Sequence, residues 1–437
     1  MRIRTMIPVL VGLVALGACS TATSPAPDSS ASASAVTANI DIPDAYTPVV
    51  IRPLSDPTFP FKGTDGKYHV VYDLELQNAS PIPATVEKVE VLDAENQDKV
   101  IASYSGKQLV DPDCPFGDCN RLRSIVLGRP VDNAKINPDE GRILYVDFTF
   151  DALEDAPAAV VHRFIGMGAT GPASQKPAKV DYVVTPYDIS AGTARVIGPP
   201  LQGTNWVALN GCCEPGWPHR SSPNALTGAV RNSQRFAIDY KRMNDEGRFF
   251  EGDKNKNESY VDYGEPILAV ADGTVVSTLD ELPANAPGVL PAQNPELADK
   301  ITVDNVDGNH IVLDIGDGDY VMYAHLIKGS LQVKAGDTVT KGQQIAELGN
   351  TGNANASHLH FQMMNGPSLV NSDALPYEID TFEYLGQVEP DLFLKTDDFL
   401  SGVFADPTAM TPQSRTEELP LNLSIVNFPA QSASSDN

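Results

Sequence analysis

Basic residues are scarce in this sequence, and they never cluster. The 437 residues include 31 lysines and arginines against 57 aspartates and glutamates, so the formal net charge is −26 at pH 7. No run of lysine and arginine is longer than a dipeptide, whereas a protein that binds a phosphate backbone needs a basic face. The charge therefore argues against nucleic acid as a partner.

The apolar run near the start of the chain is too short to cross a bilayer. It spans the 13 residues from Met6 to Ala18, whereas a membrane-spanning helix needs about 20. Arg2 and Arg4 precede it, as in a bacterial secretory signal. The run ends in Leu16-Gly17-Ala18-Cys19, which resembles the lipobox of bacterial lipoproteins. This resemblance implies acylation of Cys19 and an exported, membrane-anchored lipoprotein that faces the periplasm or cell envelope. The alternative is an ordinary signal with a chance cysteine.

Turn formers are abundant, and no repeat of fixed period is present. The chain has 33 glycines and 35 prolines, but 42% of its residues are apolar, which is too many for a disordered protein. Tyr72, Leu74 and Leu76 alternate with polar residues such as Asp73, which is typical of a half-buried strand. Similar patterns recur along the chain. We therefore predict a mainly β fold, with an N-terminal immunoglobulin-like β-sandwich followed by a second β-rich domain.

Changes in composition divide the chain into six segments. The segment after the signal is built almost wholly from Ser, Ala, Thr and Pro, and it is predicted as a flexible tether because it cannot bury a core. The predicted boundaries are residues 1–18 for the signal peptide, 19–39 for the tether, 40–190 for the N-terminal β-sandwich domain, 191–204 for a linker, 205–400 for the second domain and 401–437 for a C-terminal tail.

Four cysteines follow Cys19, and an exported protein can form disulfides. Cys114 and Cys119 flank a turn-like tetrapeptide, which favours a local bridge. Cys212 and Cys213 are adjacent, and a bridge between neighbours strains the peptide, so crossing to the first pair is an alternative. The three pairings stay open. A metal site at these cysteines is less favoured because no histidine lies near them at finger-like spacing.

The histidines concentrate in the second domain, where five of the seven lie between positions 219 and 360. In His358-Leu359-His360, the two imidazoles should share one strand face, with Leu359 turned towards a core. Such a pair can supply a metal ligand and a second catalytic group, although the pattern alone also fits a chance surface pair. His325 follows Tyr323 at the same period, and we expect both side chains to face one way.

The surroundings of this pair resemble a known family. The segment Gly349–Gln362 is similar to the signature of lysostaphin/LytM-type zinc metallopeptidases, which cut peptide bonds in bacterial peptidoglycan. Tyr323-Ala324-His325-Leu326 resembles the second histidine motif of that family, and Tyr263–Val276 and Val333–Gln343 resemble its glycine-marked turns. The resemblance covers about residues 205–375. It implies that the second domain is an antiparallel β zinc peptidase domain of the duplicated hybrid motif type.

Members of that family bind zinc through a histidine, an aspartate and the second histidine of H-x-H. The resemblance gives the last two roles to Asp239 and His360. The first histidine usually lies four residues before the aspartate, but Arg235 occupies that place here, and arginine cannot ligate a metal. The nearest upstream histidine is His219, which a loop could bring back, as in a subgroup with an N-terminal β-domain and a displaced first ligand. The implied cofactor is one Zn²⁺ per chain.

The resemblance assigns His325 and His358 to catalysis, without deciding which is the general base. Three protein ligands leave a fourth position for water, and zinc lowers the pKa of that water towards about 7. An imidazole beside it can take the proton or stabilise the oxyanion.

The implied function is that of a monomeric zinc metalloendopeptidase acting on peptidoglycan stem peptides or cross-bridges. One alternative is a catalytically inactive lipoprotein that binds cell wall or activates another hydrolase. Another is a general secreted protease.

Overall fold

The computed structural model of the protein describes residues 40–55, 58–189, 192–395 and 401–430. The expected signal peptide, the acylation site at Cys19 and the tether lie outside the described residues. Among the described helices, none combines the length and the apolar character that a membrane crossing needs.

The N-terminal domain forms two antiparallel sheets. Its strands are β1 (Val49–Pro53), β2 (Phe61–Lys62), β3 (Tyr68–Asn78), β4 (Ala84–Asp93), β5 (Val100–Ser105), β6 (Leu122–Ser124), β7 (Lys135–Ile136), β8 (Gly141–Phe150), β9 (Ala159–Gly168) and β10 (Ala178–Asp188). One sheet has the order β1-β3-β8-β6 with β2 beside β3, and the other has the order β10-β9-β4-β5 with β7 beside β4. Both sheets contribute to one apolar core, so the domain is a β-sandwich. The immunoglobulin-like topology stays a prediction.

Strand β3 is buried on both of its faces, not on one as its alternation predicts. Tyr72 and Leu74 pack in the core of the sandwich. Val71, on the opposite face, packs in the main core of the second domain. Asp73 is also fully buried. The second domain therefore covers the outer face of this sheet, which a local pattern of polar residues could not reveal.

The second domain is built around one large antiparallel sheet. The strands that follow the sandwich are β11 (Arg195–Ile197), β12 (Gly203–Leu209), β13 (Asn224–Leu226), β14 (Ala229–Arg231), β15 (Ile238–Arg242), β16 (Pro266–Leu268), β17 (Gly273–Leu279), β18 (His310–Asp314), β19 (Tyr320–Ala324), β20 (Thr338–Val339), β21 (Gln344–Glu347), β22 (Leu359–Met364), β23 (Tyr377–Ile379), β24 (Phe382–Gln387), β25 (Gln413–Arg415) and β26 (Ser424–Phe428). The sheet has the order β20-β17-β18-β19-β22-β15-β12-β26-β24-β25. The mainly β, antiparallel fold is thus confirmed.

We predicted residues 401–437 as a C-terminal tail, but two strands within that segment, β25 and β26, belong to this sheet. Strand β26 lies between β12 and β24 and pairs with both of them. Val426 and Phe428 on it are buried in the main core. The tail boundary therefore needs correction, because two-sided strand pairing and apolar burial include these residues in the fold.

Helical structure is limited to short pieces in the described residues. One α-helical turn, α1, spans Asp391–Lys395. The 3-10 turns are Gly106–Gln108, Leu153–Asp155, Asn257–Ser259, Pro291–Gln293, Ala298–Lys300 and Pro407–Ala409.

The disulfides join cysteines that are close in sequence. The structure pairs Cys114 with Cys119 and Cys212 with Cys213. Of the three pairings that the sequence left open, it therefore contains the one with both bridges local. The first bridge closes a loop of the sandwich domain, and the second lies in the second domain, just after β12.

Candidate metal centre

Strand register brings Asp239 and His360 together. Asp239 on β15 lies opposite His360 on the neighbouring strand β22. The Nδ1 atom of His360 is 3.0 Å from Oδ1 of Asp239. Leu359 packs in the main core, while His358 and His360 both turn towards Asp239, as the alternation of a strand requires.

His219 reaches the same carboxylate from outside the large sheet. It lies in a long loop between β12 and β15, and its Nε2 atom is 3.3 Å from Oδ2 of Asp239. Its other ring nitrogen, Nδ1, donates to the carbonyl oxygen of Ala237 at 3.1 Å. That bond leaves the lone pair of Nε2 directed at the carboxylate. The structure therefore places His219 beside Asp239, and its role as first ligand stays a prediction.

The three side chains form a donor set that suits zinc. One ligand atom each from His219, Asp239 and His360 lies within 4.8 Å of the others. In His360, Nε2 donates to Oε1 of Gln362 at 3.1 Å, which leaves Nδ1 as an acceptor beside the carboxylate. Two imidazole lone pairs thus face one carboxylate. These electron-rich groups repel one another unless protons or a metal cation lie between them. Two histidines and one carboxylate, with hydrogen bonds that orient the imidazoles, are typical of a catalytic zinc site.

His325 and His358 lie beside this donor set. Their ring centroids are 4.7 Å apart, and Nε2 of His358 is 3.4 Å from Oδ1 of Asp239. Each ring donates from Nδ1 to a backbone carbonyl, that of Thr351 at 2.7 Å for His325 and that of Ala356 at 2.9 Å for His358. The Nε2 atoms of both rings are therefore the ones available for proton transfer.

The expectation that His325 faces the same way as Tyr323 is wrong. Tyr323 packs in the main core, whereas His325 contacts the rings of His358 and His360 on the other side of the sheet. Strand β19 ends at Ala324, and His325 has a φ of 66°. This left-handed backbone conformation interrupts the alternation of the strand and redirects the side chain.

The electrostatics of the site are dominated by the buried carboxylate. Burial acts to raise the pKa of Asp239, but attraction to His219 and His358 outweighs it and holds that pKa well below its ordinary value. Burial, together with the neighbouring His358 and His360, holds the pKa of His325 well below its ordinary value. Burial also lowers the pKa of His358, against the opposing attraction of Asp239. His325 and His358 are therefore neutral at pH 7 and able to accept a proton.

Two residues that sequence reasoning missed support the site. The Nδ2 atom of Asn210 donates to Oδ2 of Asp239 at 2.7 Å, and Gln362 orients His360. Strand alternation could have pointed to Gln362, which is two residues after His360 on β22. Asn210 directly follows β12, and the pairing of Leu209 with Asp239 on β15 places it beside the carboxylate. That pairing joins distant parts of the chain, so no local signal marks Asn210.

A cavity of about 550 Å³ opens over the five residues of the site. Trp217, Leu290 and Phe393 contribute to its walls, and so does Phe116 of the sandwich domain. Leu290 belongs to the long connection between β17 and β18. Next to it, the backbone N–H of Gly288 donates to the carbonyl oxygen of Asn355, so this loop packs against the edge of the site.

Comparison with known proteins agrees with this geometry. Residues 258–372 match the model of peptidase family M23. This part of the chain resembles a peptidase family M23 domain. The match includes His325, His358 and His360, and it begins after His219 and Asp239. The resemblance to lysostaphin/LytM-type peptidases is thereby confirmed, while the subgroup with a displaced first ligand stays a prediction.

The individual relatives match only part of this chain. An uncharacterized metalloprotease of Haemophilus influenzae is 35% identical over 107 residues, which cover 24% of this chain and 18% of that protein. The catalytic domain of lysostaphin from Staphylococcus simulans is 25% identical over 35% of this chain and 80% of its own, with a TM-score of 0.20. A zinc-containing peptidase from Vibrio cholerae is 20% identical over 50% of this chain and 58% of its own, with a TM-score of 0.21.

Proposed function

We propose that this protein is an exported zinc metalloendopeptidase that hydrolyses peptide bonds in peptidoglycan. The observation that carries the proposal is the five-residue site, in which His219, Asp239 and His360 form a metal-binding set beside the neutral His325 and His358. All five residues line one cavity that is large enough for a peptide segment. An inactive relative would have no need to retain all of these groups together.

The zinc ion would bind to Nε2 of His219, a carboxylate oxygen of Asp239 and Nδ1 of His360. When bound, it lowers the pKa of a water molecule towards about 7 and polarises a carbonyl group, which provides a nucleophile and an electrophile at neutral pH. Asn210 keeps the Asp239 carboxylate oriented through its hydrogen bond. Gln362 fixes the His360 ring in the tautomer that presents Nδ1.

The two remaining histidines move protons and stabilise charge. Nε2 of His358 lies 3.4 Å from Oδ1 of Asp239, and we assign it the proton of the attacking water. His325 is held by its bond to Thr351 with Nε2 free, beside the ring of His358. Once the proton of the water has passed to Nε2 of one of these imidazoles, the resulting N–H can donate to the oxyanion and then deliver that proton to the leaving amine. These roles require the Nδ1–H···O bonds, because those bonds select the tautomer with a basic Nε2.

Peptidoglycan is the substrate that the family resemblance favours, and the expected anchor at Cys19 would keep the enzyme in the cell envelope. We propose stem peptides or cross-bridges as the cleaved segments and a monomer as the active form. Detection of a lipid-modified Cys19 by mass spectrometry of the protein from its native membrane would support the location, and a soluble, unmodified N-terminus would contradict it.

The function can be tested with residues 20–437, which lack the signal and the acylated cysteine. Zinc content is measured, and release of soluble fragments from purified peptidoglycan is followed with and without chelator, with casein as a comparison substrate. We expect about one zinc per chain and chelator-sensitive release from peptidoglycan. Absence of zinc and of release would refute the enzyme in favour of a non-catalytic lipoprotein. Efficient casein cleavage without release would refute the proposed substrate.

A further inference from the structure

Of the three residues in the metal-binding set, only His219 lies outside the large sheet. Asp239 and His360 lie on adjacent strands, β15 and β22, whose register fixes them. His219 lies in the segment 210–237, here called the ligand loop, which connects β12 to β15. The ligand loop contains only the short hairpin of β13 and β14. Its conformation therefore depends on what packs against it.

A single carboxylate of the sandwich domain binds three side chains of the ligand loop. Asp73, in the middle of β3, forms an ion pair with Arg220, the residue after His219. It accepts a hydrogen bond from Nε of Arg235 at 2.9 Å and another from Nδ2 of Asn232 at 2.9 Å. Arg220 also donates to the carbonyl oxygens of Tyr72 at 3.1 Å and Val146 at 3.2 Å, both in the sandwich domain.

This network is buried between the sandwich domain and the ligand loop, so the loss of one partner would destabilise the contact between them. Asp73, Arg220 and Asn232 are 0% exposed, and Arg235 is 2% exposed. Burial acts to raise the pKa of Asp73, but Arg220 and Arg235 outweigh it and keep the carboxylate ionised. Buried charges are costly when they lose a partner, because little solvent can compensate them. Arg235 occupies the position where the resembled family has its first zinc ligand, and here it binds the other domain instead.

A second contact holds the other side of His219. The disulfide-closed loop from Cys114 to Cys119 places the ring of Phe116 on that of Trp217, with centroids 4.3 Å apart and planes 15° apart. The backbone N–H of Gly117 donates to Oε2 of Glu214 at 3.2 Å. The sandwich domain thus contacts the ligand loop at Trp217 and at Arg220, on both sides of His219.

We propose that the N-terminal sandwich domain assembles the metal centre, with Asp73 as the positioning residue that holds His219 in place. This inference rests on the proposed zinc site but extends to a domain outside the M23 match. Asp73 does not touch the metal-binding atoms. It acts through Arg220, which directly follows His219 in the chain. It also acts through Arg235, which lies four residues before Asp239 and holds the end of the ligand loop in place.

The decisive variant is Asp73→Asn, which keeps the shape and removes the charge. The full chain after the signal is used, and zinc affinity is measured by competition with a chromophoric chelator. Loss of an outer partner of a metal ligand typically weakens metal binding by roughly 10- to 100-fold, and we expect a decrease in that range. The visible spectrum of the cobalt-substituted protein should also change, because His219 would occupy its position only part of the time.

Glu90→Gln is the matched control. Glu90 is a largely buried carboxylate of the sandwich domain that pairs with Lys88 and Arg163. It lies on β4, which belongs to the other sheet of the sandwich and not to the sheet that contains Asp73. Its substitution should leave zinc affinity and the cobalt spectrum unchanged. A decrease equal to that of Asp73→Asn would mean that general destabilisation explains the effect, and the proposal would fail.

The outcomes separate this inference from the proposed function. If the wild-type chain binds no zinc, the proposed function fails first. If wild-type zinc binding depends on His219 but Asp73→Asn binds zinc equally tightly with an unchanged cobalt spectrum, the inference alone is overturned. If Asp73→Asn does not fold, Phe116→Ala replaces it, since that change removes no buried charge. Undiminished zinc affinity in that variant would likewise overturn the inference.

Discussion

The Nε2 atom of His219 lies 3.3 Å from Oδ2 of Asp239, although a long loop separates the two residues in the chain. Arg235, which occupies the expected ligand position, instead binds Asp73. His219 thus approaches this carboxylate from a loop, while an arginine occupies the position that the family resemblance gives to the first ligand. The metal-binding set depends on a loop conformation as well as on the sheet.

Substitution of His219, the proposed first ligand, should abolish metal binding. We expect His219→Ala to decrease zinc content from about one per chain to below about a tenth, because two remaining ligands cannot maintain a three-ligand site. Atomic absorption after gel filtration measures the content. His310→Ala is the control, because His310 is a buried histidine of the same domain whose Nδ1 bonds to Gly308 and which is outside the metal-binding set. Full zinc content in His219→Ala would show that another residue is the first ligand.

Substitution of either proposed catalytic histidine should lower activity without lowering the zinc content. Loss of a general acid or base typically slows a reaction by about 10²- to 10⁴-fold. We therefore expect His358→Ala and His325→Ala to lower kcat within that range while binding one zinc per chain. Release of peptidoglycan fragments and zinc content are measured on the same preparations. Loss of zinc from either variant would make that histidine a ligand, in disagreement with the assignment.

A close backbone approach beside the site should make Gly308 intolerant of a side chain. Gly308 has a φ of +67°, and a Cβ there would lie 2.5 Å from the carbonyl oxygen of Thr351, which accepts the bond from His325. We expect Gly308→Ala to lower the free energy of unfolding by about 2–5 kcal/mol, from left-handed strain and overpacking together. Urea unfolding measures the change.

Gly329→Ala serves as the comparison for that prediction. Gly329 has a φ of +80°, but nothing lies within 4 Å of a Cβ placed there. Only the left-handed strain remains, which costs about 1–2 kcal/mol. Equal losses for the two substitutions would show that the contact with Thr351 has no effect on stability.

His162 should make the sandwich domain sensitive to acid. Its Nδ1–H donates to the carbonyl oxygen of Thr185, and its Nε2 accepts from the hydroxyl of Tyr72, both at 2.8 Å. Burial lowers the pKa of His162 to about 4, against the opposing effect of the bond to Thr185. On acidification, His162 of the unfolded chain takes up a proton near pH 6.5, whereas His162 of the folded protein stays neutral there. Stability should therefore fall by about 3 kcal/mol as the pH decreases from about 6.5 to about 4.

Because carboxylates also titrate in this range, the wild type is compared with His162→Gln. Glutamine can replace both hydrogen bonds but does not titrate. The free energy of unfolding of both proteins is measured by urea unfolding at several pH values. The wild type should become less stable relative to His162→Gln as the pH falls. A difference that stays constant from pH 7 to pH 4 would contradict the assignment of a neutral, buried His162.

Local patterns predicted a large part of this architecture. Alternation placed Tyr72 and Leu74 in a strand with its core on that side, and it placed His358 and His360 on the face opposite Leu359. Such patterns are informative because side-chain direction in a strand repeats every second residue. The prediction for His325 failed for the same reason, since it lies just beyond the end of a strand, where a positive φ breaks the repeat.

By itself, the sequence determined the mainly β class and the histidine motifs, because short-range periodicity and spacing encode them. Only the tertiary structure decided that Asp73 is buried, that β26 enters the large sheet and that His219 reaches Asp239. Each of these depends on which distant surface covers a residue. An aspartate on a strand face has the same local pattern whether water or two arginines lie above it, and the packing of the two domains decides between them.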